Sequence, residues 1–144
     1  MATGDVVNVK GTYATVQAAA STADGAISAG STTSILAALG ATEEDYPLLD
    51  LKLTVSVGTP TLGGTINVYR QPSDGTNASP TTKTNYLQQY VGSFIIDDAA
   101  VTQYYYLYAV PNFDNNDTFV LENDSGSTLT IALAARGRSY NTAA

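Results

Sequence analysis

The chain has 144 residues, of which 44% are hydrophobic and only 13% are charged, and it contains neither histidine nor cysteine. Without these two residue types it lacks the usual general base near neutral pH, the serine and cysteine triads, and nearly all zinc sites. The net charge is −7 and the six lysines and arginines are scattered, so we expect no nucleic-acid partner, no membrane partner and no cofactor.

The first 48 residues carry the weakest structural pattern. The stretch NVKGTYATVQAA (8–19) is rich in β-branched and aromatic residues, which favour a strand. We interpret it as part of an extended N-terminal arm over residues 1–20, followed by a single domain over residues 21–144. Residues 33–39 fit either a strand or a short helix over 34–39 that Gly40 would end. Between these two we favour a strand and a turn.

From residue 49 onward, hydrophobic and polar residues alternate with a period of two, which is the pattern of half-buried strands. Segments rich in Gly, Pro, Asn and Asp interrupt this pattern and predict turns. The predicted strands cover 49–57, 65–70, 86–96, 102–110, 118–123 and 128–136, and the polar tail extends from the last of them. Six short strands with turns between them predict an all-β fold, either a sandwich or a barrel.

A pair of carboxylates is one chemistry that the composition leaves open. The candidates for a glycosidase-type pair are Glu43, Glu44, Asp45, Asp97, Asp98 and Glu122. That mechanism needs one carboxyl group in an apolar pocket that raises its pKa. Every candidate except Glu122 falls in a turn among polar neighbours, so we expect no catalytic pair and no enzyme.

Calcium is the second open chemistry, through the segment DNND (114–117) with Asp97 and Asp98 as further ligands. The segment does not match an EF-hand loop, because Thr118 and Phe119 stand where that loop needs an Asp or Asn and a Gly. Asp and Asn in turns commonly cap their own backbone. We therefore interpret the segment as a structural turn and expect no metal site.

The segment TQYYYLYAV (102–110) contains four tyrosines in five positions. On a strand its residues alternate between two faces: Tyr104, Tyr106, Tyr108 and Val110 on one, and Tyr105, Leu107 and Ala109 on the other. Three roles are open for the tyrosines: they pack on a central strand that is covered on both faces, they contact a neighbouring subunit, or they stack on a sugar or base. We predict that Leu107 points into the core while Tyr104, Tyr106 and Tyr108 face a loop or a partner.

The C-terminal part of the chain resembles the jelly-roll proteins that decorate or cement the capsids of tailed bacteriophages, with related domains in head and tail fibres. The resemblance covers roughly residues 49–141 and does not extend to the first 48. The segments that carry it are GGTINVYRQPSDGTN (63–77), YVGSFIIDDAAVTQYYYLYAVPNFDNND (90–117) and TFVLENDSGSTLTIALAARGRSYN (118–141).

The resemblance implies an antiparallel β-sandwich of the jelly-roll type, and the extended N-terminal arm is our own hypothesis for the segment that the resemblance does not cover. It also implies a structural virion protein that binds the outer surface of the capsid and stabilises the shell. The expected partners are the major capsid protein and further copies of this chain, as a trimer rather than a dimer. Such a protein is made in the host cytoplasm and released by lysis, which agrees with an N-terminus that lacks signal-peptide features.

Two sets of residues are predicted to form the partner interfaces. The arm is expected to lie across neighbouring capsid subunits, and the tyrosine strand is expected to meet a partner. The predicted interface residues are Val6, Val7, Val9, Tyr13 and Val16 in the arm and Tyr104, Tyr106 and Tyr108 in the strand. The alternative function is a head-fibre or tail-fibre domain that recognises a glycan of the host surface.

Overall fold

The computed structural model describes residues 6–40, 46–80 and 89–142, and within these ranges the chain forms two antiparallel sheets and one short helix. The strands are β1 (Val6–Lys10), β2 (Ala14–Thr22), β3 (Leu48–Val57), β4 (Thr65–Gln71), β5 (Tyr90–Ile95), β6 (Gln103–Pro111), β7 (Thr118–Asp124) and β8 (Leu129–Thr142). The helix is α1 (Ile35–Leu39).

The large sheet is built around β8. On one edge of β8 lie both β1 and β2, end to end, because Lys10 pairs with Arg138 while Ala14 pairs with Ala135. On its other edge lies β3, and β6 follows β3. The whole sheet therefore has five strands across four positions.

The small sheet has the order β5-β4-β7. The segment 26–28 lies beside β7, where the Ser28 amide donates to the Leu121 carbonyl (2.8 Å) and the Asn123 amide donates to the Ala26 carbonyl (2.9 Å). With this segment included, each sheet is four positions wide.

The strand pairs are nested around the middle of the chain. From the outermost pair to the innermost, β2 pairs with β8, 26–28 with β7, β3 with β6, and β4 with β5.

The two sheets enclose one main core, to which alternate residues of β3, β4, β7 and β8 contribute. Its fully buried members include Leu49, Leu51, Leu53, Ile66, Val68, Phe119, Leu121, Ile131, Leu133 and Ala135. The prediction of an all-β antiparallel sandwich is confirmed.

The preference for a strand and a turn near residue 35 was wrong, since α1 is a helix. The Ser34 hydroxyl accepts a hydrogen bond from the Ala37 amide (3.2 Å), and Gly40 ends the helix in the left-handed conformation at φ 64°. A helix of five residues is not stable alone. It is held because Ile35 is buried and because the Ile35 amide donates to the Asp117 carbonyl (3.1 Å).

The N-terminal segment also differs from the expected arm. Residues 6–22, most of which fall in the predicted arm 1–20, form β1 and β2 against β8 of the same chain, and Val16 is fully buried in the core. This segment supplies backbone partners to an edge of β8 that would otherwise expose unpaired amides and carbonyls. Residues 6–20 are thus part of the sandwich, and residues 1–5 lie outside the described ranges.

Candidate interaction surface on the large sheet

The outer face of the large sheet carries a cluster of tyrosines and cations. We call it the tyrosine face, and its members are Tyr13, Lys52, Tyr104, Tyr106, Tyr108, Arg136 and Arg138. Strand register brings them together, since Lys52 of β3 lies opposite Tyr106 of β6 and opposite Ala134 of β8. Residues paired across an antiparallel sheet share one face, so the cluster follows directly from the pairing.

Three of these tyrosines are exposed: 55% of Tyr104, 47% of Tyr106 and 57% of Tyr108. Leu107, between them in sequence, packs against the core together with Tyr105. The predicted orientation of Leu107 is therefore confirmed. The three tyrosine rings point away from the core and are left about half uncovered by the described chain.

Val110 was predicted on the same face as the tyrosines, and this was wrong. The register shifts inside β6, because Leu49 pairs with Val110 while Leu51 pairs with Leu107. The extra residue is a β-bulge, and Ala109 within it has φ 56°, in the left-handed region. The bulge returns Val110 to the core, where it is buried.

Asp50 fixes the two arginines of the tyrosine face. Its carboxylate is fully buried and accepts hydrogen bonds from Arg136 Nε (2.8 Å), from Arg138 Nε and Nη2 (both 2.8 Å) and from the Ala109 amide (3.1 Å). Burial alone raises the pKa of Asp50, but the hydrogen bonds from Arg138, Ala109 and Arg136 outweigh it and the pKa lies below its usual value. Asp50 is therefore ionised at neutral pH.

This ion-pair cluster was not predicted from the sequence. The alternating pattern of 49–57 places Asp50 only on the polar face of a strand. The available signal was two pairs of charged residues with a spacing of two, Asp50 with Lys52 inside one predicted strand and Arg136 with Arg138 at the end of another. Which strands are neighbours decides whether these charges meet, and the sequence pattern does not specify that.

The cations lie against the tyrosine rings. The Arg136 guanidinium is 4.7 Å from the centre of the Tyr13 ring, Arg138 is 5.4 Å from that of Tyr108, and Lys52 Nζ is 5.1 Å from that of Tyr104. Such contacts are attractive because the face of an aromatic ring is negative. Two of the three cations are anchored to Asp50, so they restrict the rings that they touch.

The rings also contact one another. Tyr106 and Tyr108 are stacked with centroids 6.1 Å apart and an interplanar angle of 19°, and Tyr13 lies 6.2 Å from Tyr106 in a tilted arrangement. Burial raises the pKa of Tyr13 although Arg136 acts in the opposite direction. The result is a pre-ordered row of aromatic rings, a surface that loses little entropy when it is covered.

The other predicted interface residues have separate positions. Val9 is half-buried in β1, and Val16 lies in the core of its own chain and is not available to a partner. Val6 and Val7 belong to β1, but their side chains lie outside the described part of the structure. Of the predicted set, the structure brings together Tyr13, Tyr104, Tyr106 and Tyr108.

A second feature lies at the end of β4, where the 111–117 turn surrounds Arg70. The Arg70 side chain is buried and donates to Asp117 Oδ2 (2.5 Å), the Pro111 carbonyl (3.0 Å), Asn112 Oδ1 (3.0 Å) and the Asp114 carbonyl (3.0 Å). Three of the residues suggested for calcium are used by the turn itself, since Asp117 binds Arg70, Asn115 Oδ1 accepts from Asn112 Nδ2 (2.7 Å) and Asp114 Oδ1 accepts from the Asn116 amide (2.8 Å). Within the described ranges, no group of three or more acids is placed to hold a metal ion.

Above Arg70 lies an open depression of about 670 Å³ lined by Asp74, Asn77, Asp114 and Phe113, among others. Phe113 is 76% exposed, and its ring centre is 5.5 Å from the Arg70 guanidinium. This depression combines a concave shape with an exposed aromatic ring and acidic side chains.

The carboxylates considered for catalysis are in different environments. Glu122 is buried and accepts a hydrogen bond from the Tyr69 hydroxyl (2.9 Å), and burial together with this bond raises the pKa of Tyr69 to about 12. Asp97 and Asp98 are exposed in the connection between β5 and β6. Residues 43–45 lie outside the described ranges.

Two comparisons and one further test bear on identity. Neither protein-family models nor curated protein sequences match this chain. Among the described helices, none is long and apolar enough to cross a membrane. The proposals below therefore depend on the geometry and on the resemblance of residues 49–141.

Proposed function

We propose that this chain is a structural virion protein that binds the outer surface of a phage capsid and stabilises the shell. The observation that carries the proposal is the tyrosine face, a pre-ordered row of aromatic rings of which the described chain leaves three about half exposed. Tyrosine and arginine are enriched among the residues that dominate binding at protein interfaces. A protein whose task is to cover area on its neighbours needs such a surface and no reactive group.

The topology supports the same proposal. Four nested strand pairs divided between two sheets are the pairing that a jelly roll requires, and we propose that winding for this chain. Capsid decoration proteins of the jelly-roll type are the family that residues 49–141 resemble. The proposed partners are the major capsid protein and further copies of this chain, as a trimer rather than a dimer.

Repetition over the shell makes a modest contact sufficient. A ligand that binds only the closed shell stabilises it by mass action, and many copies add their contributions. Copies that also touch one another bind with avidity, since each bound copy raises the local concentration for the next. In this proposal the protein acts on the capsid exterior and catalyses no reaction.

The experiment is reconstitution. The purified full chain is added to capsids that lack it, and bound protein is quantified after sedimentation of the particles. We expect saturable binding at a copy number comparable to that of the major capsid protein, on expanded shells of the parent phage. Failure to bind these shells, with the chain folded by circular dichroism, would overturn the proposal.

A second function is favoured by the depression above Arg70. The exposed Phe113 ring beside Asp74, Asn77 and Asp114 fits a fibre domain that recognises a host glycan, because sugars stack on aromatic rings and bond to carboxylates and amides. Glycan-array binding that Phe113→Ala abolishes, and that Tyr104→Ala leaves unchanged, would support it. An array without any bound glycan would count against it.

A further inference from the structure

We infer that the tyrosine face binds the acidic end of a second copy of this chain. The acidic end is the set of exposed carboxylates Asp24, Asp97, Asp98 and Asp124. This contact deepens the proposed self-association and rests on it, because it names the two surfaces that would meet.

The large sheet concentrates positive charge in an acidic protein. Four of the six lysines and arginines belong to its strands: Lys10, Lys52, Arg136 and Arg138. Its five strands contain one acid, the buried Asp50. The sheet therefore carries +3, which leaves −10 for the rest of a chain whose total is −7.

Strand register places the four carboxylates at one end of the sandwich. Thr65, the first residue of β4, pairs with Asp124 on one side and with Ile95 on the other, and Asp97 and Asp98 follow Ile95 after one intervening residue. Asp24 joins them because its Oδ1 accepts from the Gly126 amide (2.9 Å). The described connections at this end (23–25, 58–64, 96–102 and 125–128) contain no lysine or arginine.

A face-to-face pair of tyrosine faces is disfavoured. Two-fold symmetry would set Lys52 and Arg136 of one copy against the same cations of the other, and like charges across an interface are costly. A face-to-end contact instead sets cations and tyrosine hydroxyls, which are hydrogen-bond donors, against carboxylate acceptors. Contacts of this unsymmetrical kind form a ring when the rotation between copies closes, and a closed ring of three copies would be the trimer in the proposed function.

The occupant is a second copy because this chain itself supplies the complementary charge. Tyr104, Tyr106 and Tyr108 are about half exposed within the described chain, and the rest of every further copy is strongly acidic. On a shell the copies are also held close together, which favours contacts between them.

Sedimentation velocity of the full chain tests the contact. We expect concentration-dependent assembly at about 10 mM salt. The association constant should fall at least about tenfold at about 1 M salt, because the Debye length shortens from about 30 Å to about 3 Å. Lys52→Glu alone, and Asp97→Lys with Asp98→Lys alone, should each weaken assembly about tenfold or more. A chain that carries all three substitutions should regain assembly, because the new carboxylate at position 52 can then pair with the new cations at positions 97 and 98.

Asp74→Asn is the control, since it removes an exposed charge at the opposite end of β4 and should leave assembly unchanged. Circular dichroism verifies that each variant is folded. A wild-type chain that stays monomeric at low salt, or a combined variant that fails to regain assembly, would overturn the inference.

Capsid binding separates this contact from the proposed function. A monomeric chain that still decorates capsids would overturn the contact and leave the function in place. A chain that assembles as expected but does not bind capsids would do the reverse.

Discussion

At the scale of single residues, Asp50 determines whether the tyrosine face is ordered. Removing one partner of a buried ionic cluster lowers the free energy of unfolding by more than the intact cluster adds to it, because the remaining charges are left without an opposite charge. We expect Asp50→Ala to lower the free energy of unfolding by about 3–5 kcal/mol, measured by chemical denaturation. Lys52→Ala, on the same face but outside the ion pairs, is the matched control and should cost less than about 1 kcal/mol. Equal losses for the two variants would contradict this role of Asp50.

The pKa of Asp50 gives the same cluster a pH dependence. Because the pKa is lower in the folded chain than its unfolded value of about 3.9, its contribution to stability is present above that pH and is lost as the pH falls through the folded pKa. Thermal unfolding of the wild type and of Asp50→Asn from neutral to acid pH measures this. We expect the stability difference between them to shrink below about pH 4, whereas a constant difference would exclude the ionised carboxylate as its source.

Tyr69 gives the opposite dependence at high pH. Burial and Glu122 raise its pKa to about 12, above the unfolded value of about 10. Its contribution is therefore present below about pH 10 and is lost as the pH rises through about 12. In an ultraviolet titration of the tyrosines, Tyr69→Phe should lack the last ionisation of the folded protein. A Tyr69→Phe curve that keeps this step would assign it to another tyrosine.

At the scale of elements, the strands after residue 48 were predictable and their irregularities were not. Alternation identifies a strand with one buried face, and the hydrophobic residues of β3 and β8 obey it, whereas residues 68–71 of β4 and 119–123 of β7 are buried on both faces. The bulge at Ala109 breaks the alternation in a way that no residue of the segment signals, since Ala has no preference for φ 56°. Its amide is instead fixed by Asp50, a residue distant in sequence.

The candidate site was predictable to a similar extent. The tyrosine strand and the outward direction of Tyr104, Tyr106 and Tyr108 followed from spacing alone. Their cationic neighbours did not, because β3 and β8 are adjacent only through the nested order of strands. The prediction that residues 6–20 form an arm was wrong for the same reason, since a strand pattern does not show whether the strand pairs within its own chain or with another chain.

The N-terminal strands make a prediction at this scale. Deleting residues 1–20 removes Val16 from the core and most of the backbone partners of one β8 edge, so we expect loss of cooperative unfolding and aggregation. Deleting residues 1–5, which leaves β1 and β2 intact, is the matched control and should preserve a cooperative thermal transition. A shorter chain over 21–144 that unfolds cooperatively would show that β1 and β2 are dispensable for the sandwich and would restore the arm interpretation.

At the scale of the whole molecule, the positive charge and the exposed tyrosine rings lie on one surface, and a cluster of negative charge lies on another. The large sheet is positive and aromatic, while one end of the sandwich is acidic. A monomer gains little from this separation, since the opposite charges lie on different surfaces. An array of copies gains an attraction at each contact between them, and the attraction is sensitive to salt.

Capsid stability tests this view of the molecule. We expect Tyr104→Ser, Tyr106→Ser and Tyr108→Ser combined to leave the sandwich folded, because each ring is about half exposed. The variant should bind shells without cooperativity and should protect them less against thermal rupture, measured by the temperature at which packaged DNA becomes accessible to a dye. Phe113→Ser, which removes an exposed ring outside the tyrosine face, is the control and should protect shells as the wild type does. Equal rupture temperatures for the triple variant and the wild type, at equal occupancy, would mean that shell stability does not depend on contacts made by the tyrosine face.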